Sequence, residues 1–110
     1  MTTIFKKIID KELPAETVFE NESTLVIKDI NPQAPIHLLI IPKKEIKNIN
    51  ALKTEDADVL KEVVLAAQKM AEMFNVEDYR LLTNNGRGAG QTVFHLHFHF
   101  LAGRNLGALG

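Results

Sequence analysis

Apolar residues recur along this chain with two different periods, and each change of period marks an element. Near the N-terminus Ile4, Phe5, Ile8 and Ile9 fall three and four apart between lysines. That spacing predicts a short amphipathic helix over residues 3–11, opened by Thr3 and ended by Pro14. Residues 18–20 and 24–30 turn to alternation, with Leu25, Ile27 and Asp29 on one face and Val26, Lys28 and Ile30 on the other. The turn Asn31-Pro32-Gln33-Ala34-Pro35 leads into residues 37–42, apolar on both faces and therefore a central strand that closes a hairpin. Residues 43–50 are polar and irregular. Thr54 reads as an N-cap, with Glu55 and Asp56 in the first turn. From there Ala57, Leu60, Val63, Val64, Ala67, Met70, Ala71 and Phe74 form one stripe, predicting a long helix that ends at Asn75. Residues 79–83 predict a strand, 84–90 a glycine-rich loop and 94–101 a last strand. The sum is an α+β fold in one domain, residues 1–110. An antiparallel sheet of about five strands carries one long helix across a face and a short N-terminal helix.

Composition narrows the chemistry more than the fold. With 110 residues, 45% hydrophobic and 25% charged, the chain suits one globular domain that buries about two-thirds of its unfolded surface. A net charge of −1 offers no surface on the scale that nucleic acid requires. The absence of cysteine excludes disulfides, thiol catalysis and Cys-ligated zinc. The opening Met-Thr-Thr-Ile-Phe-Lys-Lys has no signal-peptide pattern, and no stretch approaches the roughly 18 apolar residues of a membrane span. A cytoplasmic protein is expected.

Candidate chemistry concentrates between Gly90 and Gly103. His95, His97 and His99 alternate with Leu96, Phe98 and Phe100, so a strand here lines three imidazoles along one face, neighbours about 6.6 Å apart. The Leu and Phe face then packs on the core. His37 starts the central strand. Ahead of the histidines lies Asn84-Asn85-Gly86-Arg87-Gly88-Ala89-Gly90, followed by Gln91-Thr92. The loop is neither a Walker A motif nor a Rossmann fingerprint, since no Gly-Lys-Ser/Thr follows and a strand, not a helix, comes next. Its N–H groups are suited to phosphate oxygens. A neutral imidazole whose other nitrogen keeps the proton is a nucleophile toward phosphorus, with flanking imidazoles as donors. Alternating histidines also present a three-His zinc site. Both readings stand on the residues alone. Arg87 reads as a solvated loop charge.

Residues 91–101, Gln-Thr-Val-Phe-His-Leu-His-Phe-His-Phe-Leu, resemble the His-x-His-x-His-x-x signature of the histidine-triad (HIT) superfamily. Asn84, Gly90-Gln91-Thr92-Val93 and Gly103-Arg104 resemble its Hint-type branch, the purine nucleoside phosphoramidases. So do Ile4-Phe5, residues 11–15, residues 29–35 and residues 37–44, so the resemblance covers nearly the whole chain. It implies a HIT-like fold and a hydrolase that cleaves the P–N bond of adenosine or guanosine 5′-phosphoramidates, nucleotidyl-lysine included. It implies His97 as the nucleophile, with His99 donating to phosphate, His95 orienting the triad and His37 supporting it. Asn84, Gly90, Gln91 and Thr92 match positions lining phosphate and leaving group, and Asp29 the carboxylate that bonds the ribose. Ile4, Phe5, Ile8, Ile27, Ile30 and Leu39 match the apolar slot for the purine. No cofactor or metal is implied. Purine nucleotides are the expected ligands, and relatives are homodimers whose two sheets join into one of ten strands. Lys28 and the short tail Gly107-Ala108-Leu109-Gly110 depart from the pattern. Alternatives are a dinucleoside polyphosphate hydrolase of the same superfamily and a non-catalytic nucleotide- or partner-binding module.

Overall fold

The strand β3 (Ile36–Pro42) is buried on both faces, and the other elements are built outward from it. The computed structural model describes residues 2–110. Around β3 stand β1 (Thr17–Glu20), β2 (Thr24–Lys28), β4 (Tyr79–Leu82) and β5 (Phe98–Ala102), with α1 (Ile4–Ile9) and α2 (Ala57–Met73). The sheet order is β1-β2-β3-β5-β4, every neighbouring pair antiparallel.

Alternation divides the sheet into two faces. Val26, Leu38, Ile40, Phe100 and Ala102 pack against Val63, Ala66, Ala67 and Met70 of α2. Leu25, Ile27, Leu39 and Ile41 pack on the other face against Phe5 and Ile8 of α1. Register sets Ile27 opposite Leu39, and Leu39 opposite His99, in one row across three strands. The α1 side of the sheet therefore carries the histidine as well as an apolar floor.

The α+β architecture, the hairpin and the αL residue Asn75 (φ 54) just past the end of α2 are as expected. Three expectations are corrected. α1 stops at Asp10, before Pro14, because Lys11 turns the chain with φ 64. Thr54 does not cap α2; a 3-10 turn over Thr54–Asp56 precedes the helix, and the buried Asp56 carboxylate accepts the Lys53 N–H at 2.9 Å. The stripe is also rotated, since α2 buries Val63, Ala66, Ala67 and Met70 while Leu60 and Val64 stay exposed. Two adjacent alanines let the helix approach the sheet closely, so the i, i+3, i+4, i+7 set anchored on them wins over the bulkier residues. Among the described residues, no helix is long and apolar enough to cross a membrane.

Met70 and Met73 test the assignment of the buried stripe with one side chain, being 0% and 49% exposed. Met70→Ala should cost about 2–5 kcal/mol in urea unfolding, and Met73→Ala no more than about 0.5 kcal/mol.

Candidate active site

The last strand is shorter than alternation alone predicts. β5 begins at Phe98, so His95 and His97 precede the strand, and the expected flat row of three imidazoles is corrected to a folded arrangement. Gly86 and Gly90 have φ of 94° and 103°, conformations that favour glycine, and they swing the chain off the sheet. A Cβ on Gly90 would also sit 3.4 Å from Asn84 Nδ2.

Departure from the ladder changes what the histidines bond to. His97 Nδ1 lies 2.7 Å from the carbonyl oxygen of His95. A carbonyl only accepts, so Nδ1 carries the proton and the neutral ring presents an Nε2 lone pair. His95 is 2% exposed and its Nε2 donates to the Pro42 carbonyl at 2.7 Å. It thus orients His97 through its own backbone and does not line the cavity.

His99 is fixed by a different route. The Gln33 N–H donates to His37 Nδ1 at 2.9 Å, which places the proton of neutral His37 on Nε2. That Nε2 lies 2.9 Å from His99 Nδ1 and 3.4 Å from Asp29 Oδ2. His99 therefore accepts at Nδ1 and keeps its own proton on Nε2. Nothing in the described protein bonds Nε2 of His97 or of His99, and none of its side-chain polar atoms is both buried and unpartnered. Both atoms are therefore open to the cavity that these rings line, one as an acceptor and the other as a donor. The two ring centroids are 5.3 Å apart.

The cavity has a volume of about 550 Å³. Of the predicted site residues it gathers Ile4, Phe5, Ile8, Ile27, Asp29, Ile30, Leu39, Asn84, Gly90, Thr92, His97 and His99. Ile30 stands fully exposed at its rim. Phe5 meets the His97 ring edge-on at 4.9 Å. His37 lies behind His99, in a supporting position. Gln91 does not line the cavity: it is 2% exposed and its amide bonds backbone groups. Its Oε1 accepts from the Gly86 N–H, and its Nε2 donates to the carbonyls of Lys47 and Val93. Pro14, Ala15, Glu16 and Val93 also line the cavity and were not anticipated. Pro14, Ala15 and Val93 fall in segments that resemble the family, while Glu16 has only its position beside them as a signal.

Burial disfavours the charged imidazole at His97, His37 and His99. It lowers His97 and His37, with Asp29 opposing in part. His99 falls to about 4, chiefly through burial, then through the neighbouring His97 and His37. Among the described residues one group, Asp29, His37 and His99, brings three ligand-type atoms within 4.8 Å. His37 and His99 spend the nitrogens concerned on each other, and His95, His97 and His99 do not converge as a three-His zinc set.

Over residues 2–107 the chain matches the family model described as "Scavenger mRNA decapping enzyme C-term binding". An uncharacterized HIT-like protein of Chlamydia muridarum is 48% identical over 110 residues, 99% of this chain and 87% of that protein. A HIT family hydrolase from Clostridium thermocellum superposes with a TM-score of 0.94 at 46% identity, covering 98% of this chain and 96% of that one. Its counterpart from Legionella pneumophila gives 0.92 at 43% identity, covering 94% and 95%.

Two measurements test the site. His99 has a depressed folded-state pKa, so its contribution to stability is fully present above pH 6.5 and is lost as pH falls toward 4. Urea midpoints of the wild type should drop across that window, and less steeply in His99→Gln; equal slopes would remove the assignment. Gln91→Ala removes three hydrogen bonds to half-buried backbone groups and should cost about 1–3 kcal/mol in the same assay.

Proposed function

This chain belongs to the histidine-triad (HIT) family, and from that premise we propose that it is a purine nucleoside phosphoramidase of the Hint type. It would act in the cytoplasm on adenosine or guanosine 5′-phosphoramidates. The observation that carries this reading is the pair of opposed tautomers. His97 offers a lone pair and His99 a proton to one cavity, each dictated by a backbone partner at the far end of its hydrogen-bond chain.

In the proposed reaction the purine lies in the slot of Phe5, Ile8, Ile27 and Leu39, and Asp29 bonds the ribose. His97 Nε2 attacks the α-phosphorus and forms a P–N bond to the ring, while the bond to the amine breaks and the departing nitrogen takes a proton from solvent. The proton left on His97 Nδ1 stays against the His95 carbonyl, which accommodates the positive charge of the ring. His99 Nε2–H and the Thr92 hydroxyl donate to the phosphoryl oxygens as charge grows there. Water then attacks phosphorus, breaking the P–N bond to His97 and giving a proton to solvent, and releases the nucleoside monophosphate and neutral His97. No step needs a metal.

A homodimer fits the outer position of β4 and the exposed Tyr79, Leu60 and Val64. The description of the matching family model, which names a decapping enzyme, favours a second reading in which a phosphoanhydride is cleaved instead.

Hydrolysis of adenosine 5′-phosphoramidate should proceed in EDTA, and His97→Ala should lose at least about 10³-fold in kcat/KM. Near-normal turnover by that variant would sink the proposal. Faster turnover of a diadenosine polyphosphate by the wild type would transfer the assignment to the second reading.

A further inference from the structure

A second cavity, of about 570 Å³, adjoins the nucleotide cavity and shares Ile4, Thr92 and Val93 with it. Its remaining wall includes Lys47 and Phe94. Two cations lie over the Phe94 ring, with Lys47 Nζ 5.6 Å and the Arg87 guanidinium carbon 5.5 Å from its centroid. Among the described residues neither is paired with a carboxylate, whereas Lys6, Lys11, Lys28, Lys43 and Lys44 all are.

The arrangement is built and held from within. The buried Gln91 amide bonds the Gly86 N–H on the Arg87 side and the Lys47 carbonyl on the other. A second tie joins the same two segments, the Asn50 N–H to Asn85 Oδ1 at 3.0 Å. Both cation-bearing backbones are thereby tied to one another beside the aromatic ring. Cation–π attraction holds the side chains near it at the cost of little of their charge.

We propose that this second cavity is the leaving-group subsite, and that it selects leaving groups carrying an anionic group. The inference rests on the phosphoramidase reading, because it takes the phosphorus to sit against Thr92. An in-line displacement expels its leaving group away from the attacking ring. With base and ribose occupying the first cavity, the space across the Thr92-Val93 wall is left for the departing group. There a carboxylate or phosphate a few bonds from the scissile atom meets Lys47 on the cavity wall, with the Arg87 guanidinium over the same Phe94 ring adding positive charge nearby. The shared chemistry is an anion, and its source is either the carboxylate of an amino acid joined through nitrogen or a terminal phosphate.

Binding to the His97→Ala protein tests this without turnover. Calorimetry compares the N-propyl and N-(2-carboxyethyl) phosphoramidates of adenosine, and separately AMP with ADP. A carboxylate or phosphate advantage of about fivefold to tenfold is expected, shrinking as salt is added. Whichever pair shows it identifies the source. Adding Lys47→Ala and Arg87→Ala together should reduce that advantage to less than about twofold, and Lys47→Arg should keep it. Equal affinities within both pairs, or an advantage that survives the double variant, would overturn the inference. Wild-type turnover of the N-propyl conjugate reports on the phosphoramidase reading separately, so either idea can fail without the other.

Discussion

The hydrogen bond from His97 Nδ1 to the His95 carbonyl exists because the chain leaves strand geometry before Phe98. In an unbroken strand that carbonyl belongs to the ladder with a neighbouring strand. Freed from it, the carbonyl sets the tautomer of the ring two residues on. What holds the departing segment is the backbone after β3. The carbonyls of Pro42, Ile46 and Lys47 accept from His95 Nε2, the Leu96 N–H and Gln91 Nε2 in turn. A stretch with no regular pattern of its own therefore acts as the scaffold for the triad.

That scaffold depends on how the sheet divides its labour. The α2 face is filled by a seventeen-residue helix, giving a continuous apolar layer from Val26 to Phe100. The opposite face is covered by the six residues of α1, with Val93 packed beside them; α1 buries Phe5 and Ile8. Each is worth roughly 1.5–3 kcal/mol when fully buried, enough to dock the helix but too little to close the surface. The uncovered part of that face is the cavity. Phe5 belongs to both, since it packs in the apolar cluster and meets His97 edge-on.

Much of this was legible from residue order. Two-sided apolarity identified β3, alternation identified β2, and the three histidines with their glycine loop located the site. Residue-by-residue resemblance brought in Asp29 and the apolar slot, which no spacing rule would have picked. The misses have physical causes. Period-two alternation cannot distinguish a strand from an extended segment that has left the sheet, so His95 and His97 were placed in the ladder. The resemblance puts Gln91 beside phosphate; the structure, through Gly86 in the loop and Lys47 far off in sequence, shows its amide bonded to backbone. The α2 stripe was shifted because side-chain size weighs in a sequence pattern, while close approach to a sheet favours Ala66 and Ala67.

Keeping the histidines neutral is a condition of the whole arrangement. A proton added to His99 or His37 at rest would charge one of two rings hydrogen-bonded at 2.9 Å inside a partly buried site, and burial resists it. Asp29 pulls the other way, from 3.4 Å beside His37. A phosphoryl group in the cavity adds negative charge on the far side of the same relay, where it too favours imidazolium. In the proposed reaction an anion arriving at one end of the relay, with a carboxylate already at the other, would strengthen the donor at His99 Nε2 as charge grows on the phosphoryl oxygens. The unliganded fold, meanwhile, leaves His97 free to attack.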